Sequence, residues 1–220
     1  QNNLCPMVRK AWHQMGSSTR NPHRLAHMIP IETDALFAIP SGITQIPSEI
    51  CDVLKTLEGS EQRSGKTDVF NVLDEYPNVK RDITDIFSLW INSVLCTKEQ
   101  KWAMTTSWVT LNPSGSNMVT HRHFNCMYSG VLYFDKVEET HPPLEFLLDT
   151  PIEERNVFNT DRMLAPISEG RMIFFPSYIY HGHPDFKTSG TVRKSFACNF
   201  IPIGKYGRFD STLNTQWMTQ

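Results

Sequence analysis

In the N-terminal half, apolar positions follow a helical period in two places. After Pro77, apolar residues recur at spacings of three and four, which predicts an α-helix with one buried stripe. The stripe consists of Ile83, Ile86, Phe87, Trp90, Ile91, Val94 and Leu95. A shorter helix is predicted to begin with Ser48 as its N-cap and to end at Gly59. Its inward positions are Ile50, Val53, Leu54 and Leu57.

From Thr105 onward, the pattern changes to short β-rich runs separated by Pro, Gly and Asn turns. Strands are predicted at Thr106–Leu111, Met118–His121, Gly130–Phe134, Leu144–Leu147, Arg171–Phe174, Tyr178–His181 and Val192–Ile201. Many short strands with such turns are typical of a sandwich or jelly roll. The predicted fold class is therefore mainly β, with the two N-terminal helices packed on the outside of the β structure.

The predicted domain organisation follows from these two patterns. Residues 1–28 are polar and lack periodicity, which predicts a loose N-terminal arm. Residues 29–104 form a helical support region, and residues 105–220 form the β core. A chain of 220 residues can bury one full core, so residues 29–220 are expected to form a single domain.

Composition narrows the class of protein. The net charge of −2 gives no electrostatic indication of nucleic-acid binding. Five scattered cysteines without a Cys-x-x-Cys pair favour a reducing compartment over a disulfide framework or structural zinc site. The longest apolar runs, such as Met172–Phe175, are too short to span a bilayer. A cytoplasmic location without membrane attachment is therefore predicted, whereas the oligomeric state is left open.

Candidate chemistry is concentrated in the histidines, five of which lie between positions 121 and 183. Alternate residues of a strand share a face, so His121 and His123 are expected on one side, about 7 Å apart along the chain. His181 ends an apolar strand and is the predicted third metal ligand. His183 lies in a Gly-His-Pro turn and is assigned to the rim or to a supporting position. Three ligands on one face of an iron ion leave its other positions for substrate and oxygen.

A second motif, Arg193-Lys194-Ser195, follows twelve residues after His181. On a strand, Arg193 and Ser195 face the same side, where a guanidinium fork and a hydroxyl can bind one carboxylate. A buried arginine also requires an anionic partner, because an unpaired buried charge is unfavourable. An organic acid co-substrate would meet that requirement.

These motifs resemble the iron(II)- and 2-oxoglutarate-dependent oxygenase superfamily, and more narrowly the 2-oxoglutarate/iron oxygenases of bacteria and of tailed phages, including cyanophages. The residues that carry the resemblance are Trp108, Gly115, His121-Arg122-His123, Ser129-Gly130-Val131-Leu132-Tyr133, Phe175-Pro176-Ser177, His181, Arg193-Lys194-Ser195 and Asn199. They cover roughly residues 105–200. The resemblance implies a double-stranded β-helix, the cupin-like form of the jelly roll.

The resemblance also implies residue roles. Iron would be held by His121 and His181, with His123 in the place of the usual acid, although Asp135 or Glu145 remains an alternative acidic ligand. The distal carboxylate of 2-oxoglutarate would sit on Arg193, helped by Ser195 and Tyr133. His183 and Asn199 are assigned to positions that support these groups. No catalytic residue beyond the metal centre is predicted.

The implied activity is hydroxylation of an unactivated C–H bond, coupled to decarboxylation of 2-oxoglutarate to succinate, with O2 as the oxidant. Two alternatives are a cupin-like three-histidine dioxygenase that does not use 2-oxoglutarate, and a non-catalytic jelly-roll binding protein. Halogenation is disfavoured because that reaction needs a small residue in place of the second ligand to admit a halide ion, and His123 is large. The substrate is open among protein side chains, metabolites, sugars and nucleotides. Nearby aromatic residues are expected either to wall the pocket or to pack in the core: Phe124, Tyr128, Tyr178, Tyr180 and Phe196.

Overall fold

The computed structural model describes residues 38–57, 70–95, 100–148 and 162–215. From Ile39 onward, these residues belong to one compact unit. The predicted N-terminal arm, the predicted helix end at Gly59 and the loop at 59–68 lie outside the described residues. Among the helices of the described ranges, none is long and apolar enough to cross a membrane.

Two sheets make up the β structure. The larger contains β1 (Gly42–Gln45), β2 (Lys101–Asn112), β4 (Tyr128–Tyr133), β7 (Arg171–Pro176) and β9 (Arg193–Ile203), in the order β1-β7-β4-β9-β2. The smaller contains β3 (Met118–His121), β5 (Leu144–Leu147), β6 (Arg162–Ala165) and β8 (Tyr180–His183), in the order β3-β8-β5-β6. A hairpin of β10 (Lys205–Tyr206) and β11 (Leu213–Asn214) follows, with a 3-10 turn at Phe209–Ser211 between them.

The path of the chain between the sheets defines the fold. From β2 to β9 the chain passes repeatedly from one sheet to the other, and all strand pairs are antiparallel. Two facing sheets of four alternating strands, with β1 added at one edge, form a double-stranded β-helix. The predicted fold class is confirmed.

Helix α1 (Ser48–Lys55) and helix α2 (Pro77–Val94) turn the expected faces inward, but the N-terminal end of α1 differs from the prediction. The prediction that Ser48 caps α1 is wrong, because Pro47 occupies the N-cap and Ser48 is already helical. Pro77 lies in the first turn of α2, where a missing N–H leaves no helical hydrogen bond unmade. The inward stripe of α2 is confirmed for Ile83, Phe87 and Ile91, which are fully buried, but it is wrong for Val94, which is exposed at the end of the helix.

Strand assignments were less complete than helix assignments. Four strands had not been predicted, namely β1, β6, β10 and β11, and β8 begins at Tyr180 and ends at His183 instead of the predicted Tyr178–His181. β1 pairs only with β7, and β6 only with β5, so both are edge strands. Edge strands have one pairing partner and a weaker apolar pattern, which explains why the sequence pattern did not predict these two strands.

The main hydrophobic core lies outside the β-helix, between the larger sheet and the two helices. Its centre is Phe87 of α2, whose ring stacks on Phe200 at 4.0 Å and meets Trp102 edge-on at 5.3 Å. A second, smaller cluster occupies the space between the sheets and is formed by Tyr133, Leu144, Ala165, Ile173 and Phe175. Because most apolar packing lies between the larger sheet and the helices, the interior of the β-helix is available for polar groups.

Replacing Phe87 with Ala should destabilise the protein by about 3–5 kcal/mol, because it removes a fully buried ring and leaves a cavity under the sheet. Chemical denaturation of the two proteins measures the difference. Leu89 provides the matched control, since it lies on the same helix and is 76% exposed; Leu89→Ala should change stability by less than about 0.5 kcal/mol. Equal losses in both variants would contradict the placement of α2.

Candidate active site

Three histidines converge between the sheets. His121 ends β3 and lies opposite His181 of β8 in the strand register. His123 follows two residues beyond β3, where its backbone N–H donates to the carbonyl of Ser177 at 3.0 Å. One ring nitrogen from each histidine lies within 4.8 Å of the others. One metal ion can therefore contact all three side chains.

The ring orientations of His121 and His181 are fixed by backbone carbonyls. Nδ1 of His121 lies 2.9 Å from the carbonyl oxygen of Val119, and Nδ1 of His181 lies 3.0 Å from that of Ile179. A carbonyl oxygen can only accept, so each Nδ1 carries the proton. Nε2 is then the nitrogen that each ring can offer to a metal, which is the usual way in which a metal-binding histidine is oriented.

Arg193 lies in the same interior and is 1% exposed. Its Nη1 donates to the carbonyl of Pro142 at 2.8 Å, and its guanidinium carbon lies 5.4 Å from the centre of the Tyr133 ring. Among the residues that the structure describes, no carboxylate pairs with Arg193. Within the same residues, Arg193 Nε and the Tyr133 hydroxyl make no hydrogen bond. An anion with two oxygens would satisfy both groups and the buried charge.

His183 supports the arginine rather than the metal. It is fully buried, and its Nδ1 lies 2.9 Å from the carbonyl oxygen of Phe186. Asn112 lies opposite Arg193 in the strand register, and its side-chain amide nitrogen lies 2.9 Å from His183 Nε2, which accepts from it because Nδ1 carries the proton. Burial, followed by the charge of Arg193, lowers the pKa of His183 to about 4. The ring is therefore neutral near pH 7 and adds no second positive charge.

Tyr133 is also neutral at this end of the interior. Burial raises the pKa of its hydroxyl, and the positive charge of Arg193 only partly opposes that effect. The hydroxyl is therefore protonated near pH 7 and can donate a hydrogen bond to an acceptor. Ser195 lies two residues from Arg193 on the same face of β9.

The three clustered histidines and Arg193 line one cavity. Its lining residues are Trp108, Thr110, Met118, His121, His123, Val131, Tyr133, Leu144, His181, Arg193, Ser195 and Ala197. The predicted metal residues and the predicted acid-binding residues thus share a single space. The interior has an imidazole end, an arginine end and an apolar wall between them.

Several of these lining residues were not singled out from the sequence as parts of the pocket. Thr110 lies opposite Ser195 in the register of β2 and β9, so it adds a second hydroxyl beside Arg193. Asn112 was missed as well. Neither residue belongs to a local sequence motif. Only the alternation of β2 places them on the inward face, and that alternation depends on a register shift between Met104 and Thr106.

The aromatic residues expected near the histidines do not line the cavity. Tyr128 and Phe196 pack in the main core, whereas Phe124 and Tyr178 are 71% and 59% exposed. Tyr180 stacks with Arg122, whose guanidinium carbon lies 4.7 Å from the ring centre. Two other aromatic residues, Trp108 and Tyr133, do line the cavity, and the ring of Trp108 lies 5.4 Å from that of His123.

The two acidic alternatives point elsewhere. Asp135 pairs with Lys194 at 2.9 Å, and the hydrogen bond from Lys194 lowers the pKa of its carboxyl group. Glu145 lies opposite Gly182, one residue out of phase with His181, so its side chain is on the other face of the smaller sheet. Its carboxylate lies 2.9 Å from Nη1 of Arg162. Neither carboxylate joins the histidine cluster.

The donor set fits a first-row transition metal. Three imidazole nitrogens on one side suit iron, copper, nickel or zinc, and leave coordination positions on the side of the cavity. At the other end, Arg193 Nε and the Tyr133 hydroxyl, which make no hydrogen bond among the described residues, suit a carboxylate. The described residues therefore fit an iron(II) ion together with an organic acid.

Comparison with known families supports this interpretation. Residues 106–199, which include every residue that lines the cavity, match the model of a family described as putative 2OG-Fe(II) oxygenase. The match bears out the predicted resemblance to this superfamily, which is defined by iron(II) and 2-oxoglutarate, and the histidine cluster could hold the metal ion. A search of curated proteins gave no match.

Solved structures support the fold. The α-ketoglutarate-dependent non-heme epimerase SnoN from nogalamycin biosynthesis aligns with a TM-score of 0.52 and 12% identity, covering 76% of this chain and 81% of SnoN. HygX from Streptomyces hygroscopicus, crystallised with nickel and 2-oxoglutarate, aligns with a TM-score of 0.50 and 11% identity, covering 74% of this chain and 83% of HygX. At these identities the likeness concerns the fold alone.

Asp135→Asn should leave metal affinity unchanged, because Asp135 pairs with Lys194 and not with the histidines. Co(II) or Fe(II) titration under anaerobic conditions measures the affinity. A large loss of affinity in Asp135→Asn would show that this carboxylate moves into the metal site. Glu145→Gln is the parallel test for the other carboxylate, with the same expected result.

Proposed function

We propose that this protein is an iron(II)- and 2-oxoglutarate-dependent hydroxylase, because residues 106–199 match the model of the 2OG-Fe(II) oxygenase family. The observation that carries the proposal is the cavity itself. A histidine cluster lies at one end, and a buried arginine without a carboxylate partner among the described residues lies at the other. A 2-oxoglutarate molecule has a keto acid for a metal and a distal carboxylate for an arginine.

In this proposal, His121, His123 and His181 hold the iron through Nε2. When bound, iron supplies the activation of O2 that couples decarboxylation of 2-oxoglutarate to oxidation of a C–H bond, and succinate is the second product. The ligand set is neutral, so the ion keeps more net charge than it would with two histidines and a carboxylate. The protein orients the reactants and excludes water from them.

Arg193 and Tyr133 are proposed to bind the distal carboxylate. The Nε of Arg193 and the hydroxyl of Tyr133 are donors without an acceptor among the described residues, and both lie in the cavity wall. Ser195 and Thr110 add hydroxyl groups on two adjacent strands. This arrangement supplies a charge-assisted fork together with neutral donors, which favours a carboxylate over a neutral group.

A cupin-like three-histidine dioxygenase that does not use 2-oxoglutarate is the second candidate. Among the residues that the structure describes, no carboxylate joins the histidine cluster, and this favours the second candidate. However, such an enzyme has no use for the buried charge of Arg193, which is the most unfavourable group in the cavity when it has no anion. Binding of 2-oxoglutarate separates the two candidates, and also separates both from a non-catalytic binding protein.

A cytoplasmic location is part of this proposal, in the host cytoplasm if the protein is phage-encoded. Cys51, Cys126 and Cys198 are free thiols, as expected in a reducing compartment. The proposed small-molecule partners are 2-oxoglutarate, O2 and a substrate whose class stays open.

His181→Ala should abolish Fe(II) binding, because it removes one of three ligands and leaves only two imidazole nitrogens to hold the ion. The measurement is anaerobic titration with Fe(II) and then 2-oxoglutarate, following the visible charge-transfer band of the chelated complex. His141→Gln is the control, since His141 is also a buried histidine but contacts Glu138 and the Thr191 carbonyl instead of the cluster. Undiminished iron affinity in His181→Ala would contradict the assigned ligand set.

Arg193→Ala should weaken 2-oxoglutarate binding by about two to three orders of magnitude, since breaking a buried charge pair costs about 3–5 kcal/mol. Iron affinity should change little. Arg193→Lys should restore binding only in part, because lysine keeps the charge and loses the planar fork. Lys194→Ala is the matched control on the neighbouring position, where the side chain pairs with Asp135. Equal 2-oxoglutarate affinities in all four proteins, measured with iron present, would favour the cupin-like candidate.

A further inference from the structure

The third histidine is held differently from the other two. Whereas His121 and His181 contact backbone carbonyls, Nδ1 of His123 lies 2.7 Å from the side-chain oxygen of Asn199. Ser129 Oγ is a weaker neighbour at 3.1 Å. His123 is also the residue in the place of the usual acidic ligand, so its protonation state determines the charge of the ligand set.

Two further contacts fix which end of the Asn199 amide faces His123. Asn199 Nδ2 donates to Thr106 Oγ1 at 2.8 Å, so the amide nitrogen points toward β2. Ser129 Oγ donates to Asn199 Oδ1 at 2.7 Å, so the amide oxygen points toward β4 and His123. An amide oxygen can only accept a hydrogen bond, and Nδ1 of His123 must therefore carry the proton.

The strands place these side chains together. Asn199 of β9 lies opposite Ser129 of β4 on one side and opposite Thr106 of β2 on the other. The pairing with Thr106 exists because β2 shifts register between Met104 and Thr106. Ser177 extends the network, with its hydroxyl 2.8 Å from that of Ser129. Asn199 is thus held from three sides and has one orientation.

We infer that Asn199 is a positioning residue, which holds His123 in the tautomer with the proton on Nδ1 and so presents Nε2 to the metal as a neutral ligand. The inference rests on the proposed iron site. A neutral amide at this position polarises the imidazole less than a carboxylate would, and the three-histidine set therefore stays neutral. The imidazole keeps its orientation without gaining the basicity that a carboxylate partner confers.

Three variants test the role of Asn199. Asn199→Leu removes the acceptor at similar volume and should weaken Co(II) binding about 10–100-fold, the usual loss when the partner of a metal-bound histidine is removed. Asn199→Asp keeps an acceptor toward His123 and should bind Co(II) at least as tightly as the wild type. Thr105→Val is the matched control, because it removes a hydrogen bond to the backbone carbonyl of Asn199 and leaves the side-chain amide and His123 in contact, and it should bind Co(II) as the wild type does.

Rescue by Asp separates positioning from a purely structural role, in which Leu and Asp would be equally harmful. Unchanged Co(II) affinity in Asn199→Leu would overturn the inference, and so would equal losses in Leu and Asp. Should Asn199→Leu not fold, the tautomer is measured directly in the wild type. Histidine 15N NMR of the Zn(II)-bound protein, with His123 assigned from a His123→Gln variant, should show Nδ1 of His123 protonated.

The two hypotheses fail in different ways. A wild-type protein that binds neither Co(II) nor Zn(II) would overturn the proposed iron site itself. A wild-type protein that binds both ions, but with the proton on Nε2 of His123 and Nδ1 on the metal, would leave the iron site standing and overturn only the role assigned to Asn199.

Discussion

The two-residue alternation of strand β9 is the constraint on which the rest of the structure depends. One face of β9 presents Phe196, Cys198 and Phe200 to the core beneath the helices, and the other presents Arg193, Ser195, Ala197 and Asn199 to the interior of the β-helix. A shift of one residue would exchange the two sets, burying a guanidinium among aromatic rings. Strand β2 meets the same constraint with a bulge. Before the bulge Trp102 and Met104 face the core, and after it Trp108 and Thr110 face the cavity.

Placing the main core outside the β-helix allows the interior to hold groups that weaken a fold. Phe87 brings α2 against rings from four strands of the larger sheet, and this layer contains most of the buried apolar residues. Between the sheets, by contrast, lie a buried guanidinium and a buried phenol with unmet hydrogen bonds. Such groups are unfavourable until a ligand arrives, and they persist where surrounding structure fixes them. Stability and binding are thus assigned to opposite faces of the same strands.

Local pattern was enough to predict the parts of the site that lie close together in sequence. His121 and His123 share a spacing of two, and Arg193 and Ser195 share another, so strand periodicity alone pairs them. The same logic failed where partners come from separate strands. Asn112, Thr110 and Thr106 reach the site through the register of β2, which depends on a bulge that no local motif marks. Ser48 was misassigned for a related reason, since the preceding Pro47 takes the cap position.

The charges of the cavity explain why its two ends work as a unit. Three imidazoles, a protonated tyrosine and a neutral His183 contribute no charge, and Arg193 contributes one positive charge at the end away from the histidines. A divalent ion would add two more at the other end. A dicarboxylate that spans the cavity meets positive charge at both of its ends, whereas a monocarboxylate can satisfy only one. The neutral amide of Asn199 beside His123 preserves this arrangement, because an anionic partner there would compete with the co-substrate for the positive charge of the metal.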